Sequence, residues 1–492
     1  MLIITIVLFG IWIILKENSK FARLLGPLAL FSLIFLIGRN LFIADSILTF
    51  LSQTSISLLF LSISCFLLLG LQKYQFAQLV AYALFLFSAF VLQTPHSTGI
   101  GVDQASGMDP NAEFLIEIDG DKLSQLDEIK KEYGLTFKPA FSPNDAENTN
   151  IDDYYTVDIP SKYINVIAEI KEELNNEIHV KWIEPNEEIV FEFPQKTSEP
   201  NKGNAQITND PSVILQWHLA FLQMDKYYQL FTAQKLKPTQ KAKLFILDTG
   251  IASSHEDLPG NHSGFSDSQG HGTHCAGVAG AITNNSIGIA SMSPDPTWID
   301  IKAIQVIGNV GFGTQQQIIA GIIKATDQGA DVISMSLGGI TNQDREKAYN
   351  DAVRYANSKG AIVVVAAGNA NLDGKRYSPA NAENVISVAS IQKTYQKSGF
   401  SNHVQNLVMG VCAPGENILS TTPSNTYAAM SGTSMATPQV AGLIAVMKAI
   451  RPDLSTREVY NILNNTGKST ADTEKTGKLI QPYQAIKELV GN

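Results

Sequence analysis

Hydrophobic and polar positions divide this chain into three stretches with different periods. Through the first 95 residues apolar positions are almost continuous: Met1–Leu15, Leu24–Gly38, Ser46–Gln72 and Tyr74–Leu92 carry no charge, and the charged residues fall between them. A spanning helix needs roughly 20 apolar residues, so residues 1–95 are expected to form about four transmembrane helices, the shorter runs completed by flanking residues. Lys16, Lys20, Arg23 and Lys73 would then lie on one side of the membrane and Arg39 on the other. Cytoplasmic loops carry the basic excess, which puts everything after Leu92 outside the cytoplasm. No basic segment precedes the first run, which argues against a cleaved signal peptide.

From Ala112 to Phe193 the periods alternate between two and 3.6. Ala112–Ile118, Leu135–Phe141, Tyr154–Ile159, Val180–Ile183 and Glu188–Phe193 have strand character. Leu123, Leu126, Ile129 and Tyr133, then Ile164, Ile167, Ile170 and Leu174, recur at helical spacing. The order β-α-β-β-α-β predicts a small α+β, ferredoxin-like sheet with two helices on one face, with Ser142–Asp153 as a flexible loop. Residues 194–208 are polar and read as a linker.

From Asn209 to the C-terminus short β-rich runs alternate with helical stretches. The runs are Leu244–Leu247, Trp298–Ala303, Val332–Met335, Ala361–Val365 and Val385–Val388; the helical stretches include Gln315–Asp327 and Asp344–Ser358. This alternation predicts an α/β domain built on a doubly wound, mostly parallel sheet.

Composition adds two exclusions. With 36 basic and 46 acidic residues the net charge is −10, which argues against nucleic acid as a partner, since nucleic-acid binders present a basic face. Three cysteines, Cys65, Cys275 and Cys412, are too few and too far apart for a disulfide framework.

Four positions could carry chemistry. Asp248 ends an apolar strand, where ligands bind in open α/β sheets; alone it reads more readily as a cap or turn aspartate. His271 stands between glycines at a helix start. His274 is three residues on and no Glu follows His271, so the zincin pattern is not met and His274 reads as a packed neighbour. Ser434 lies where small residues lead into an apolar helix that accepts Pro438 early; the helix dipole there favours developing negative charge, though a plain serine cap has the same signature. Asn369 ends another strand with an amide able to donate to an oxyanion, or to close a turn.

Taken together and in order, the motifs are more specific. Asp248–Ile251 (DTGI), His271–Gly277 (HGTHCAG), Ser336–Gly339 (SLGG), Ala366–Asn369 (AAGN), Ala413–Gly415 (APG) and Gly432–Pro438 (GTSMATP) resemble the subtilisin-like serine proteases, nearest the thermitase-like branch. That resemblance implies a serine endopeptidase with Ser434 as nucleophile, His271 as general base, Asp248 as the orienting carboxylate, and Asn369 with the Ser434 N–H as oxyanion donors. It implies extended protein or peptide substrates paired with Gly311-Phe312-Gly313 and Ser336-Leu337-Gly338, above a primary pocket lined by Ala366, Ala367 and Gly368. Those small residues suggest a roomy apolar slot. Its far wall falls in Asn371–Ser378, where the spacing departs from the family pattern and either Arg376 or Tyr377 could face in. The resemblance further implies a structural calcium held by Asp210, Asp257, Asn285 and the carbonyls of Ile287 and Ile289; a loop held by Asx hydrogen bonds is the alternative. Residues 112–193, chiefly Trp182–Ile189, are similar to the family's inhibitor-type propeptide. They would block the cleft until cut within 194–208, leaving a catalytic domain at 209–492 tethered to membrane lipid through residues 1–95 or released from it.

Overall fold

The computed structural model describes residues 107–120, 122–146, 149–190, 196–197, 207–259, 267–308, 311–341 and 346–491. The four apolar runs and Cys65 lie outside these residues. Among the described residues no helix is long and apolar enough to cross a membrane.

The upstream domain follows the expected order. Strand β1 (Phe114–Ile118), helix α1 (Asp127–Tyr133), strands β2 (Thr136–Pro139) and β3 (Tyr154–Asp158), helix α2 (Ile167–Asn176) and strand β4 (Val180–Pro185) build an antiparallel sheet in the order β2-β3-β1-β4. Side chains alternate across a strand. On β1, Phe114, Ile116 and Ile118 therefore face α1 and α2, while Leu115 faces the downstream domain. Both helices are shorter than the sequence pattern suggests, because 3-10 turns at Lys122–Leu126 and Ser161–Val166 form their first segments. The expected closing strand does not join this sheet. Strand β5 (Glu188–Val190) pairs antiparallel with Phe312–Thr314 of the downstream domain instead. The linker is not wholly free either: Lys196–Thr197 pairs with Met430 and Ala429.

The downstream domain centres on strands β6 (Ala242–Asp248), β7 (Ile299–Gln305), β9 (Val332–Met335), β10 (Ile362–Ala366), β11 (Ile386–Ile391), β12 (Gly410–Pro414) and β15 (Lys478–Leu479). The short strand β8 (Phe312–Thr314) is the partner of β5, and β13 (Ile418–Thr422) and β14 (Thr426–Met430) form a hairpin. The large sheet has seven strands in the order β15-β12-β11-β10-β9-β6-β7, and every pairing in it is parallel. Both faces are covered, so the inner strands β9 to β12 are buried along their whole length, while the edge strand β7 carries Asp300, Lys302 and Gln305 at half-buried positions. On β6, Leu244 and Ile246 belong to the core containing helices α3 (His271–Gly280) and α6 (Thr433–Ile450). Phe245 and Leu247 belong to the core containing α4 (Gln315–Asp327) and α5 (Lys347–Ser358).

Strand β6 is where the chain turns from building the sheet in one direction to building it in the other. The crevice at the carboxyl end of such a switch strand is where open α/β sheets bind ligands, and β6 ends at Asp248.

Candidate active site

Three elements meet at this rim. Helix α3 begins at His271 after Gly270, whose φ of 86° suits a residue without Cβ. Its second residue, Gly272, lets the helix lie against the end of β6: a Cβ there would stand 2.1 Å from the Gly250 carbonyl and 3.1 Å from Asp248 Cβ. This close approach brings His271 Nδ1 within 2.7 Å of Asp248 Oδ1. Both side chains are 1% exposed. A carboxylate can only accept, so Nδ1 carries a proton, and in the neutral imidazole Nε2 keeps its lone pair. Burial disfavours charge on His271, but the Asp248 carboxylate outweighs it and holds the imidazole well above its ordinary value.

Asp267 holds this geometry in place, and sequence reasoning missed it. It is buried. Its Oδ1 accepts from Thr249 Oγ1 (2.9 Å), Gln269 N (3.1 Å) and Gly270 N (2.7 Å), and its Oδ2 from Thr273 N (2.9 Å) and Thr273 Oγ1 (2.6 Å). It caps the start of α3 and ties it to the residue after Asp248. The available signal was an aspartate four positions ahead of a glycine-flanked helix start.

Ser434 is the second residue of α6. Its Oγ donates to the Ser336 carbonyl at 3.1 Å, and Ser336 Oγ donates to the Ser434 carbonyl at 2.9 Å, fastening α6 to the end of β9. The buried Cys275 thiol lies 3.9 Å from His271 Nδ1 and 3.5 Å from the Ser434 carbonyl, so imidazole and serine flank one sulfur. Asp248, His271 and Cys275 present donor atoms within 4.8 Å of one another. Burial raises the Cys275 pKa and keeps it a thiol, and Nδ1 is committed to Asp248, so the cluster is a hydrogen-bonded one. Cys275 and Cys412 are both free. His274 is the packed neighbour its position suggested: Nε2 lies 3.0 Å from the carbonyls of Ile418 and Ala428, and burial depresses its pKa to about 3.

Asn369 follows β10. Its Oδ1 accepts from Thr433 N (2.8 Å) and Thr433 Oγ1 (2.9 Å), which turns Nδ2 the other way. Nδ2 and Ser434 N each lie 3.6 Å from where a Cβ on Gly432 would stand. Two donors therefore converge on a space that Gly432 leaves open, the arrangement an oxyanion requires.

The expected substrate edges are also placed. Ser336, Leu337, Gly338, Ala366, Gly368 and Asn369 line one cavity with Thr433, Ser434 and Tyr377, and Ala367 is buried behind them. The slot is not roomy, as the small residues suggested, but measures about 20 Å³. The other edge, Gly311-Phe312-Gly313, is occupied along β8 by the chain's own β5, Ile189 opposite Gly313 and Val190 opposite Phe312.

Helix N-termini receive the upstream domain. Glu184, fully buried, accepts from Gln315 Nε2 (2.6 Å) and Trp182 Nε1 (2.6 Å), and from the backbone of Lys347 and Ala348 at the start of α5. Asn186 Oδ1 accepts from Gln316 N (3.0 Å) at the start of α4. Unpaired N–H groups and the helix dipole make such ends acceptor sites. Burial nevertheless raises Glu184 to about 7. Lys347 bridges Glu117 of β1 and Asp351, and Tyr154 donates to Asp351 at 2.8 Å.

The residues expected to hold calcium are brought together. Asp210 and Asp257 are both fully buried. Asp257 accepts from Asn285 Nδ2 (2.8 Å) and Ile289 N (2.8 Å), Asp210 from Asn284 N (2.9 Å) and Asn285 N (3.0 Å), and Asn285 Oδ1 from Ile287 N (2.7 Å). Burial, with the charge of Asp210 added, raises Asp257 to about 7.

The profile of the subtilase family, peptidase S8, matches residues 239–480. Thermitase of Thermoactinomyces vulgaris is 46% identical over 216 residues, 42% of this chain and 74% of that protein. Subtilisin DY of Bacillus licheniformis is 38% identical over 247 residues, 48% of this chain and 87% of that protein. A thermostable alkaline protease of Halalkalibacterium halodurans is 30% identical over 349 residues, 69% of this chain and 87% of that protein.

Proposed function

The chain belongs to the subtilase family and is a serine endopeptidase, and from this premise we propose that Ser434, His271 and Asp248 form its catalytic triad. The observation that carries the proposal is the 2.7 Å bond from His271 Nδ1 to Asp248 beside a serine at the start of α6. His271 takes the Ser434 proton through Nε2 as Oγ attacks the scissile carbonyl, then gives it to the leaving amine. Asp248 holds the tautomer and stabilises the imidazolium, and Asn369 Nδ2 with Ser434 N receives the oxyanion. The substrate is a protein or peptide lying extended along Gly311–Gly313 and Ser336–Gly338.

Residues 112–193 act as an inhibiting propeptide. The pairing of β5 with β8 supports this, because it takes up a backbone edge that substrate needs, and so do the carboxylate and amide contacts to the ends of α4 and α5. Cleavage within 194–208 frees the edge. Calcium occupies the loop of Asp210, Asp257, Asn285, Ile287 and Ile289. The two buried carboxylates and the Asn285 amide oxygen supply hard oxygen ligands of the kind a divalent cation takes, and among the described residues no basic side chain pairs with Asp257. Residues 1–95 anchor the precursor in the membrane with the catalytic domain outside the cytoplasm, as their uninterrupted apolar runs and basic loops suggest.

The test compares wild type with Ser434→Ala for casein hydrolysis and for the N-terminus of the expressed chain by mass spectrometry. Wild type should hydrolyse casein and carry a new N-terminus within 194–208, and the variant should do neither. Equal behaviour of the two would reject the triad.

A further inference from the structure

The slot between Ser336–Gly338 and Ala366–Gly368 is filled by a side chain of the protein itself. Tyr377 stands on the short strand Tyr377–Ser378, paired antiparallel with Gly339–Ile340. Its Oη donates to the Gly338 carbonyl at 2.8 Å. A Cβ on Gly338 would stand 2.6 Å from Tyr377 Cε1, and a Cβ on Gly368 would stand 2.8 Å from Tyr377 Cδ1. The ring thus takes the space that both glycines leave empty. The remaining 20 Å³ has room for about one water molecule. Ser434 and Asn369 line the same space, so the ring excludes bulk beside the reacting carbonyl and not at some remote subsite.

We propose that Tyr377 is the specificity-determining residue of this slot and limits the protease to Gly, Ala or Ser immediately before the scissile bond. The proposal rests on Ser434 being the nucleophile. An aromatic or long aliphatic side chain at that position would have to expel the ring and break its bond to Gly338, whereas a methyl or hydroxymethyl group fits in the space left. The Gly338 carbonyl keeps a second lone pair, so an extended peptide can still pair there. Residues 194–208 contain small residues at Ser198, Gly203 and Ala205, and self-processing should follow one of them.

The experiment uses the full chain and two peptide p-nitroanilides that differ only in Ala or Phe before the scissile bond. Wild type should favour Ala over Phe at least tenfold in kcat/KM. Tyr377→Gly should raise the Phe/Ala ratio at least tenfold, while Tyr377→Phe, which keeps the ring, should hold the wild-type preference. Wild type that cleaves the Phe peptide as well as the Ala peptide overturns the proposal, even where Tyr377→Gly does not fold. So does an unchanged ratio in Tyr377→Gly, or a processed N-terminus following Phe191, Glu192 or Phe193. Casein hydrolysis separates the two readings. Its absence in wild type overturns the nucleophile assignment and this proposal with it; casein hydrolysis with an unchanged ratio overturns the Tyr377 assignment alone.

Discussion

The catalytic rim and the surface that receives the upstream domain both bury carboxylates, but they treat them differently. At the rim, Asp267 accepts five hydrogen bonds from backbone and hydroxyl groups, and Asp248 accepts from His271 and the Thr249 N–H. The buried charge is matched by donors that belong to the same domain and stay with it. At the other surface Glu184 meets donors of α4 and α5 across a boundary between domains, and burial still lifts it to about 7. A site that must hold one geometry through every turnover is built from permanent partners. A contact held by a group whose charge changes near neutral pH can loosen as pH rises.

The largest effect expected is at the rim. Ser434→Ala or His271→Ala should lower turnover on the order of 10⁶-fold, measured on a chromogenic peptide, with folding unchanged by circular dichroism. If either variant keeps more than about a thousandth of wild-type rate, the rim is not the reacting centre. Asn369→Leu should cost ~10²–10³ in kcat with little change in KM, because its amide acts on charge that exists only in the transition state. An equal rise in KM would make Asn369 a ground-state contact and remove it from the oxyanion site.

The cation loop sharpens the comparison, since it too holds a buried carboxylate without a matching cation of its own. Asp257 is raised from an ordinary 3.8 to about 7. An acid whose pKa is raised by folding supports the fold when protonated, so its contribution is present below about 3.8 and is lost as pH climbs to about 7. Bound calcium would reverse this penalty. Chelator should therefore lower the melting temperature more at pH 8 than at pH 5. At a hundredfold excess of calcium over Kd the stabilisation lost is about 2.7 kcal/mol. A melting temperature indifferent to chelator at both pH values would remove the cation.

The smallest effect expected is at the domain contact. Glu184 is raised from an ordinary 4.5 to about 7, so docking takes up a proton and tightens as pH falls through that window. The change can reach at most about tenfold per pH unit. Inhibition of the processed enzyme by residues 107–193 should weaken as pH rises from 5 to 8, and Glu184→Gln should flatten the profile. A steeper response in the variant than in wild type would assign the pH dependence to other groups. His271 responds in the opposite sense for activity: Asp248 holds its pKa high, so kcat/KM should rise as pH increases and the imidazole loses its proton.

Much of this was legible in the chain. Val332–Met335 and Gln315–Asp327 have the bounds that their apolar patterns predict, because period and burial agree there. The upstream β-α-β-β-α-β order is legible for the same reason. Strand β15 was missed because two residues carry no period. The hairpin of β13 and β14 was missed because Ser, Thr and Ala make up most of it. Glu188–Val190 reads correctly as a strand, but nothing local says which sheet it joins; that depends on an edge more than a hundred residues away. The motifs around Asp248, His271 and Ser434 stand out in the sequence because the chemistry proposed for them restricts residue type and order. The slot was misjudged because its size is decided by Tyr377, which arrives from a different loop. Asp267 was missed because its role lies in the bonds it accepts, and an isolated aspartate does not announce them.

The most direct test of the central claim is covalent labelling with a phosphonofluoridate followed by peptide mapping. One label on Ser434, formed rapidly in wild type and lost in His271→Ala, is the result expected of a hydroxyl activated by that imidazole. Label on another serine, or undiminished label on Ser434 without His271, would contradict it.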